Sequence, residues 1–345
     1  MTLDEARGRV HCGSCFDWLP TLPDACAALA VVDGPYNMRK VEWDKFASWE
    51  DFRAFYRPLW EELSRVLRDN CSLYIFGTFE GLAALKQDLD ALGGGWRFGS
   101  AITLDKGPVW KQVSNSQART WPSCAEYLLC YHRERVDISA LAWNGVTRED
   151  NTIRAYLNAE RERAGVSKLD CNVACGFSPT AGGMASRHYF SASQWQLPTR
   201  EHYLALRDLF NARGNGSGPY LRREYEYLRR EYEDLRYVFN PAKGVTDVWD
   251  VPICAGAERV QVNGQTAHVA QKPLAVIRRI VEASSNPGDV VIDPMCGTGT
   301  VAVACEELGR QWLCCEQDAG HVAVAEARIA AAQRAHQDRL PFDAD

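Results

Sequence analysis

A chain of 345 residues with 46% hydrophobic and 24% charged side chains is long enough to bury a substantial core without disulfide or metal staples. No apolar run approaches the roughly 20 residues that span a bilayer, and the mixed charges of residues 1–9 do not form a secretory signal, so a cytoplasmic protein with no membrane partner is expected. The net charge of −6 argues against a globally basic nucleic-acid binder.

Thirteen cysteines are scattered along the chain. Several (Cys71, Cys130, Cys305, Cys314, Cys315) sit inside apolar runs and read as buried thiols. Cys12 and Cys15 have the spacing of half a metal site, but no second pair follows at zinc-module distance, so no metal is expected.

In chain order, the N-terminal part alternates between two periodicities. Strands fall at 9–12, at 28–32 ending on Asp33, at 72–76 ending on Gly77, and near 98–104 and 127–132; helices fall at 48–67 and 79–92. Such alternation predicts a mostly parallel sheet with helices on both faces. From 133 to 245 the pattern breaks into helical segments at 151–164, 167–174, 200–211 and 218–237, with a Gly- and Ser-rich joint at 212–218.

The last of these holds a perfect repeat, YLRREYE over 220–226 and again over 227–233. Leu221, Tyr225, Leu228, Tyr232 and Leu235 form an apolar stripe for packing on the rest of the protein or for a homodimer contact. After 248 the alternation returns: a helix at 272–283, a strand at 290–293, a glycine loop, a helix at 300–308, a strand at 311–316 and a final helix to about 334. One α/β sheet is therefore expected from both ends of the chain, 1–132 and 246–345, around a helical insertion at 133–245. Residues 97–245 hold 21 Lys and Arg against 16 Asp and Glu, whereas the remainder holds 18 against 29. The middle is the part that suits a polyanion.

The strongest chemical signal is Asp293-Pro294-Met295-Cys296-Gly297-Thr298-Gly299-Thr300. A strand ending in an acid, a Gly-x-Gly turn and a helix place backbone N–H groups at the carboxyl edge of a sheet, where a nucleoside docks. Glu316 ends the next strand, at the offset of an acid that accepts hydrogen bonds from ribose hydroxyls. A dinucleotide fold shares these features, although the third glycine of its fingerprint is missing here.

The second signal is Asp33-Gly34-Pro35-Tyr36 after an apolar strand. The lone pair of a base amino group is delocalised into the ring. A carboxylate on Asp33 and a backbone carbonyl at Gly34 or Pro35 can bind both amino hydrogens and localise that lone pair, while Tyr36 stacks on a base flipped out of the duplex.

With these two elements and the segment His268-Val-Ala-Gln-Lys272-Pro273, the chain resembles the circularly permuted amino-methyltransferases of DNA, the beta group. Their catalytic Asp-Pro-Pro-Tyr corresponds to Asp33 through Tyr36, their cofactor loop to Asp293 through Thr300, and their His-Pro-Thr-Gln-Lys-Pro signature to the third segment. The resemblance covers roughly 8–132 and 240–332 and implies a Rossmann-like S-adenosylmethionine-dependent methyltransferase acting on double-stranded DNA with base flipping. By the same resemblance Lys272 and Pro273 begin the helix at the methionine end of the cofactor.

Ser14 stands where the family often has the acid that binds the cofactor's adenine. Gly34 replaces the first proline, and Val269 and Ala270 replace Pro and Thr. Within the family an acid at Asp33 accompanies adenine N6 methylation, with cytosine N4 as the alternative. Transfer to RNA or to a protein glutamine, and a DNA-binding protein with a decayed site, are further readings.

For DNA contact, Lys106, Lys111 and Arg119 interleave with Trp110 and Trp121, a composition for phosphate contacts and base stacking, with a plain hairpin as the alternative. Residues 161–176, followed by Arg187 and His188, read as a helix-turn-helix pair in which Ser167 caps the helix begun by Lys168; this segment also resembles an insertion of phage-encoded family members.

Overall fold

The computed structural model describes residues 1–39, 41–107, 124–133, 152–180, 183–191, 195–214, 216, 218–235, 238–251, 254, 258–262, 264–267 and 270–337. The chain divides into two compact units, residues 1–134 with 238–345, and residues 135–237.

In the first unit the strands are β1 (Val10–Cys12), β2 (Ala27–Val32), β3 (Leu67–Gly77), β4 (Trp96–Asp105), β5 (Ala125–Arg133), β6 (Val248–Asp250), β7 (Gln261–Val262), β8 (Gln265–Thr266), β9 (Val290–Asp293) and β10 (Gln311–Glu316). Eight of them form one sheet in the order β1-β10-β9-β2-β3-β5-β4-β6, and β7 and β8 make a separate hairpin. All neighbours in the large sheet are parallel except those of β5, which runs antiparallel to both β3 and β4.

Helices α1 (Leu3–Ala6), α2 (Cys15–Trp18), α3 (Trp49–Val66) and α4 (Phe79–Ala91) belong to the N-terminal part. Ser48 starts α3 by accepting the Asp51 N–H at 3.0 Å, and Phe52, Tyr56, Leu59, Trp60 and Leu63 bury one face of it. The period of two in β2 then assigns the layers. Ala30 and Val32 pack with α3 and α4, whereas Leu29 and Val31 pack on the other face with the helices from the C-terminal part.

The structure departs from the sequence reading at β3, which begins at Leu67. Ala27 pairs with Leu67 but Leu29 with Ser72, so the polar residues between form a bulge with Asn70 in the left-handed region (φ 60°). Local polarity hid that start.

The second unit contains α5 (Thr152–Arg163), α6 (Lys168–Ala174), α7 (Met184–His188), α8 (Arg200–Arg213) and α9 (Tyr225–Leu235). It has its own core, including Leu157, Trp195, Tyr203, Leu206, Phe210, Leu221 and Leu228. Helix α9 starts at Tyr225 and not at 218, because tertiary partners take the backbone groups before it. Asn211 Oδ1 accepts the Tyr220 N–H (3.0 Å), the Glu160 carboxylate accepts the Leu221 N–H (2.7 Å), and Leu221 is left-handed (φ 48°). One copy of YLRREYE is thus largely loop and the other helix. Leu221 and Leu228 are buried in this core, and Tyr225 and Tyr232 pack against it, so these members of the stripe are used inside the unit.

The remaining helices of the first unit are α10 (Leu274–Ser284), α11 (Thr300–Leu308) and α12 (Ala319–Gln337). All thirteen cysteines are free thiols. Among the described residues no group of His, Cys, Asp and Glu is arranged to hold a metal, and no helix is long and apolar enough to cross a membrane.

Candidate active site

Strands β2 and β9 lie side by side, with Leu29 opposite Val291 and Ala30 opposite Ile292. From this pair the chain order runs outward in both directions, to β3 on one side and β10 on the other. That is a switch point, where the carboxyl ends of neighbouring strands diverge and leave a crevice. Asp33 follows β2 and Asp293 ends β9, so residues far apart in sequence meet there.

The glycine loop is shaped by its backbone. Gly297 (φ 51°) and Gly299 (φ 73°) are left-handed, the Gly297 N–H donates to Glu316 Oε2 (2.9 Å) and the Cys296 N–H to the Cys315 carbonyl (2.9 Å). Arg328, on α12, braces the turn by donating to the Thr298 hydroxyl (2.9 Å) and the Thr300 hydroxyl (3.1 Å). Thr298 and Thr300 are buried. A cavity of about 610 Å³ opens at the start of this loop, lined among others by Ser14, Asp33, Gly34, Pro294, Met295 and Glu316, while Gly297, Thr298 and Thr300 line a small recess of about 30 Å³. Ser14 caps α2 by accepting the Phe16 N–H (3.2 Å).

A second cavity of about 420 Å³ adjoins it. Gly34 and Ala270 line both, and Tyr36, Lys106, Glu126, Lys272 and Pro273 line only the second of these two. Lys272 and Pro273, expected at the cofactor, therefore sit on the other side of Gly34, although Lys272 also borders a small recess beside Asp293 and Gly297–Thr298. Pro273 precedes the first residue of α10, Leu274, so that helix begins later than expected.

Between the cavities the charges are tightly coupled. Lys272 Nζ donates to Asp33 Oδ2 at 2.6 Å and lies 3.3 Å from Glu126 Oε1. It also sits 5.3 Å from the centre of the Tyr36 ring and 5.2 Å from that of Phe76, a cation against aromatic faces. The Tyr36 hydroxyl is 2.7 Å from Asp33 Oδ1 and 2.7 Å from Glu126 Oε1. Lys106 Nζ reaches Glu126 Oε2 at 2.6 Å.

Burial pushes the Asp33 carboxyl above the usual carboxylate range, with Lys272 opposing and Glu126 adding to the rise. Burial also acts to raise Glu126, but the Lys272 and Lys106 ammoniums bring it down to about 2. Asp293 is pushed well up by burial, against its hydrogen bond from the Met295 N–H. Among the described residues the buried charged side chains are Asp44, Glu126, Lys272 and Asp293, all at this crevice. Buried charge is costly and concentrates where chemistry requires it.

The loop after Asp33 is held from below. The Asp44 carboxylate accepts the N–H groups of Tyr36 (2.5 Å), Asn37 (2.7 Å) and Met38 (2.8 Å). The Tyr56 hydroxyl donates to the Pro35 carbonyl at 2.8 Å, whereas the Gly34 carbonyl has no hydrogen-bond donor among the described residues and Gly34 lines both cavities. Sequence reasoning missed Asp44, Tyr56 and Glu126. Glu126 did leave a signal, an acid directly before the apolar run of residues 127–131, whereas Asp44 and Tyr56 left none.

Of the residues expected on DNA, Lys106 is paired with Glu126 at the second cavity, while Trp110, Lys111 and Arg119 lie outside the described residues, as do His268 and Val269. Lys168 and Arg187 are exposed, on α6 and α7, and His188 is half-buried. Ser167 caps α6 by accepting the Asp170 N–H (3.2 Å).

A pocket at the start of a glycine loop, opening onto the half-buried Asp33 carboxylate, suits a group-transfer enzyme of the Rossmann-like methyltransferase class. Residues 27–327 match the DNA methylase family N6_N4_Mtase, and the chain belongs to that family. It is 25% identical to the type II methyltransferase M1.MboII of Moraxella bovis over 318 residues, 91% of this chain and 93% of that one. With the type II methyltransferase M.HinfI of Haemophilus influenzae it shares 37% over 91 residues, 26% of this chain and 25% of that one.

Among solved structures, PvuII DNA methyltransferase (cytosine-N4-specific) matches with a TM-score of 0.51 at 10% identity over 95% of this chain and 92% of that one. The DNA modification methylase TTHA0409 of Thermus thermophilus matches at 0.50 and 19%, over 94% and 95%. These two share the fold.

The methyl donor of such enzymes is S-adenosylmethionine, and the residues present fit it. The larger cavity has the volume for a nucleoside with an amino-acid arm, and its lining includes the carboxylates of Glu316 and Asp33, which would accept hydrogen bonds from hydroxyl or amino groups.

Proposed function

We propose that the protein transfers the methyl group of S-adenosylmethionine to the N6 amino group of adenine in double-stranded DNA, as a site-specific modification enzyme of the beta group working in the cytoplasm. The observation that carries this reading is the pair of adjoining cavities that meet at Gly34, beside Asp33. When bound, the donor supplies an electrophilic methyl on sulfur. Asp293 through Thr300, Glu316 and Ser14 hold it, and Asp33 and the Gly34 carbonyl accept the two amino hydrogens of a base extruded into the smaller cavity. Tyr36 offers a ring face for stacking, and alignment of nitrogen, carbon and sulfur does most of the work. Lys106, Lys168, Arg187 and His188 are the described candidates for holding the duplex.

The acid at position 33 favours adenine over cytosine. Unmodified genomic DNA is incubated with the protein and S-adenosylmethionine carrying a heavy methyl, then digested to nucleosides and weighed. Heavy N6-methyldeoxyadenosine is expected, lost in Asp33→Ala while calorimetric affinity for the donor is nearly unchanged. Heavy N4-methyldeoxycytidine in its place would overturn the choice of base. Absence of both products together with absence of donor binding would leave a DNA-binding protein with a decayed site.

A further inference from the structure

The Tyr36 hydroxyl carries one proton and lies 2.7 Å from two carboxylate oxygens, Asp33 Oδ1 and Glu126 Oε1. One proton cannot serve both. Given to Asp33, it occupies the oxygen that a target amino group needs; given to Glu126, it leaves that oxygen with its lone pairs free. The Lys272 ammonium is divided in the same way, 2.6 Å from Asp33 and 3.3 Å from Glu126. Glu126 is buried on β5, the reversed strand, and is anchored from outside by Lys106 at 2.6 Å.

We infer that Glu126 is a positioning residue for methyl transfer, which draws the Tyr36 hydroxyl proton and part of the Lys272 ammonium away from Asp33 so that Asp33 can accept hydrogen from the target amino group. The inference rests on the methyl-transfer reading and adds to it a third carboxyl-side element that no motif marks. In the reaction the amino nitrogen forms its bond to the methyl carbon as the carbon–sulfur bond breaks, the electron pair going to sulfur. The nitrogen then bears a positive charge and one hydrogen too many, and Asp33 takes that proton. A carboxylate already satisfied by Tyr36 and Lys272 is a poor acceptor; Glu126 competes for both donors and restores its basicity.

The other groups around Asp33 do not substitute for this. Tyr56 donates to Pro35, Asp293 is an anion-forming group with its own N–H partner, and Glu316, Asp318 and His321 line the larger cavity with Asp33. The cationic groups acting on the pair are Lys272 and Lys106.

The test titrates the protonated-carboxyl infrared band that disappears in Asp33→Asn, in the full-length protein. Glu126→Gln keeps the size of the side chain and removes the competing charge, and is expected to move the midpoint of that band to lower pH. Lys106→Ala removes the cation that anchors Glu126, and is expected to move it to higher pH. In single-turnover transfer to DNA, Glu126→Gln should move the acid limb of the rate profile the same way and slow transfer by about tenfold or more, with donor affinity unchanged. A midpoint that moves in neither variant, or moves in the same direction in both, overturns the inference. Opposite shifts in the two variants, in a protein whose wild type binds the donor yet methylates no DNA, would sink the methyl-transfer reading and leave standing only the coupling of Glu126 to the Asp33 carboxyl.

Discussion

A methyl group built on Gly34 would lie 2.4 Å from the Tyr56 hydroxyl and 2.7 Å from Met295 Sδ. The glycine that departs from the family's proline is therefore a packing requirement of this chain. The loop it belongs to is not loose, since Tyr56 holds the Pro35 carbonyl and Asp44 gathers three consecutive N–H groups. Gly34→Ala is expected to cost about 1–3 kcal/mol by overpacking, and Tyr56→Phe about 1 kcal/mol by leaving a buried carbonyl without its donor. Because the second change removes the atom that obstructs the first, the double variant should be more stable than the sum of the two losses. Urea unfolding of all four proteins measures the coupling, and strict additivity would show that the loop accommodates alanine without meeting Tyr56.

Among the elements, the turn from β9 into α11 depends on two left-handed glycines, but they are not equivalent to others in the chain. At Gly299 an added Cβ would sit 2.9 Å from Ala325 Cβ on α12, so the lack of a side chain lets two helices approach as well as permitting φ 73°. Gly288 has a similar conformation (φ 86°) and open space around it. Gly288→Ala should cost only the conformational strain, about 1–2 kcal/mol, whereas Gly299→Ala should cost more and also weaken donor binding, because Arg328 on the same helix braces Thr298 and Thr300. Equal losses of stability in the two variants would contradict the close approach of α11 and α12. The same scale explains the repeat. Identical heptads differ in conformation because Asn211 and Glu160 reach only the first.

For the whole molecule, the thiols report how complete the burial is. Cys12 and Cys124 are exposed and Cys26 is half-buried, while the other ten cysteines are buried. Burial pushes Cys15 up to about 11 and Cys71 up to about 12, which withholds the thiolate that reagents attack. An aromatic disulfide reagent at neutral pH should label two or three thiols quickly in the native protein and all thirteen after unfolding. Rapid labelling of many more in the native state would mean that the cores flanking the sheet, or that of the second unit, which holds Cys171 and Cys175, are open to solvent.

What the amino-acid sequence determined by itself was whatever depends on neighbours along the chain. The alternation of strand and helix, the tetrapeptide of residues 33–36 and the glycine loop are written in short windows, because each is made by consecutive residues, and both motifs lie within the residues that match a DNA methylase family. The direction of β5, the placement of Lys272 on Asp33 and the presence of Glu126, Asp44 and Tyr56 at the crevice were decided by the tertiary structure. Pairing and ionic contact between distant segments depend on which strands become neighbours and how low the local dielectric falls, and one-dimensional periodicity carries neither quantity.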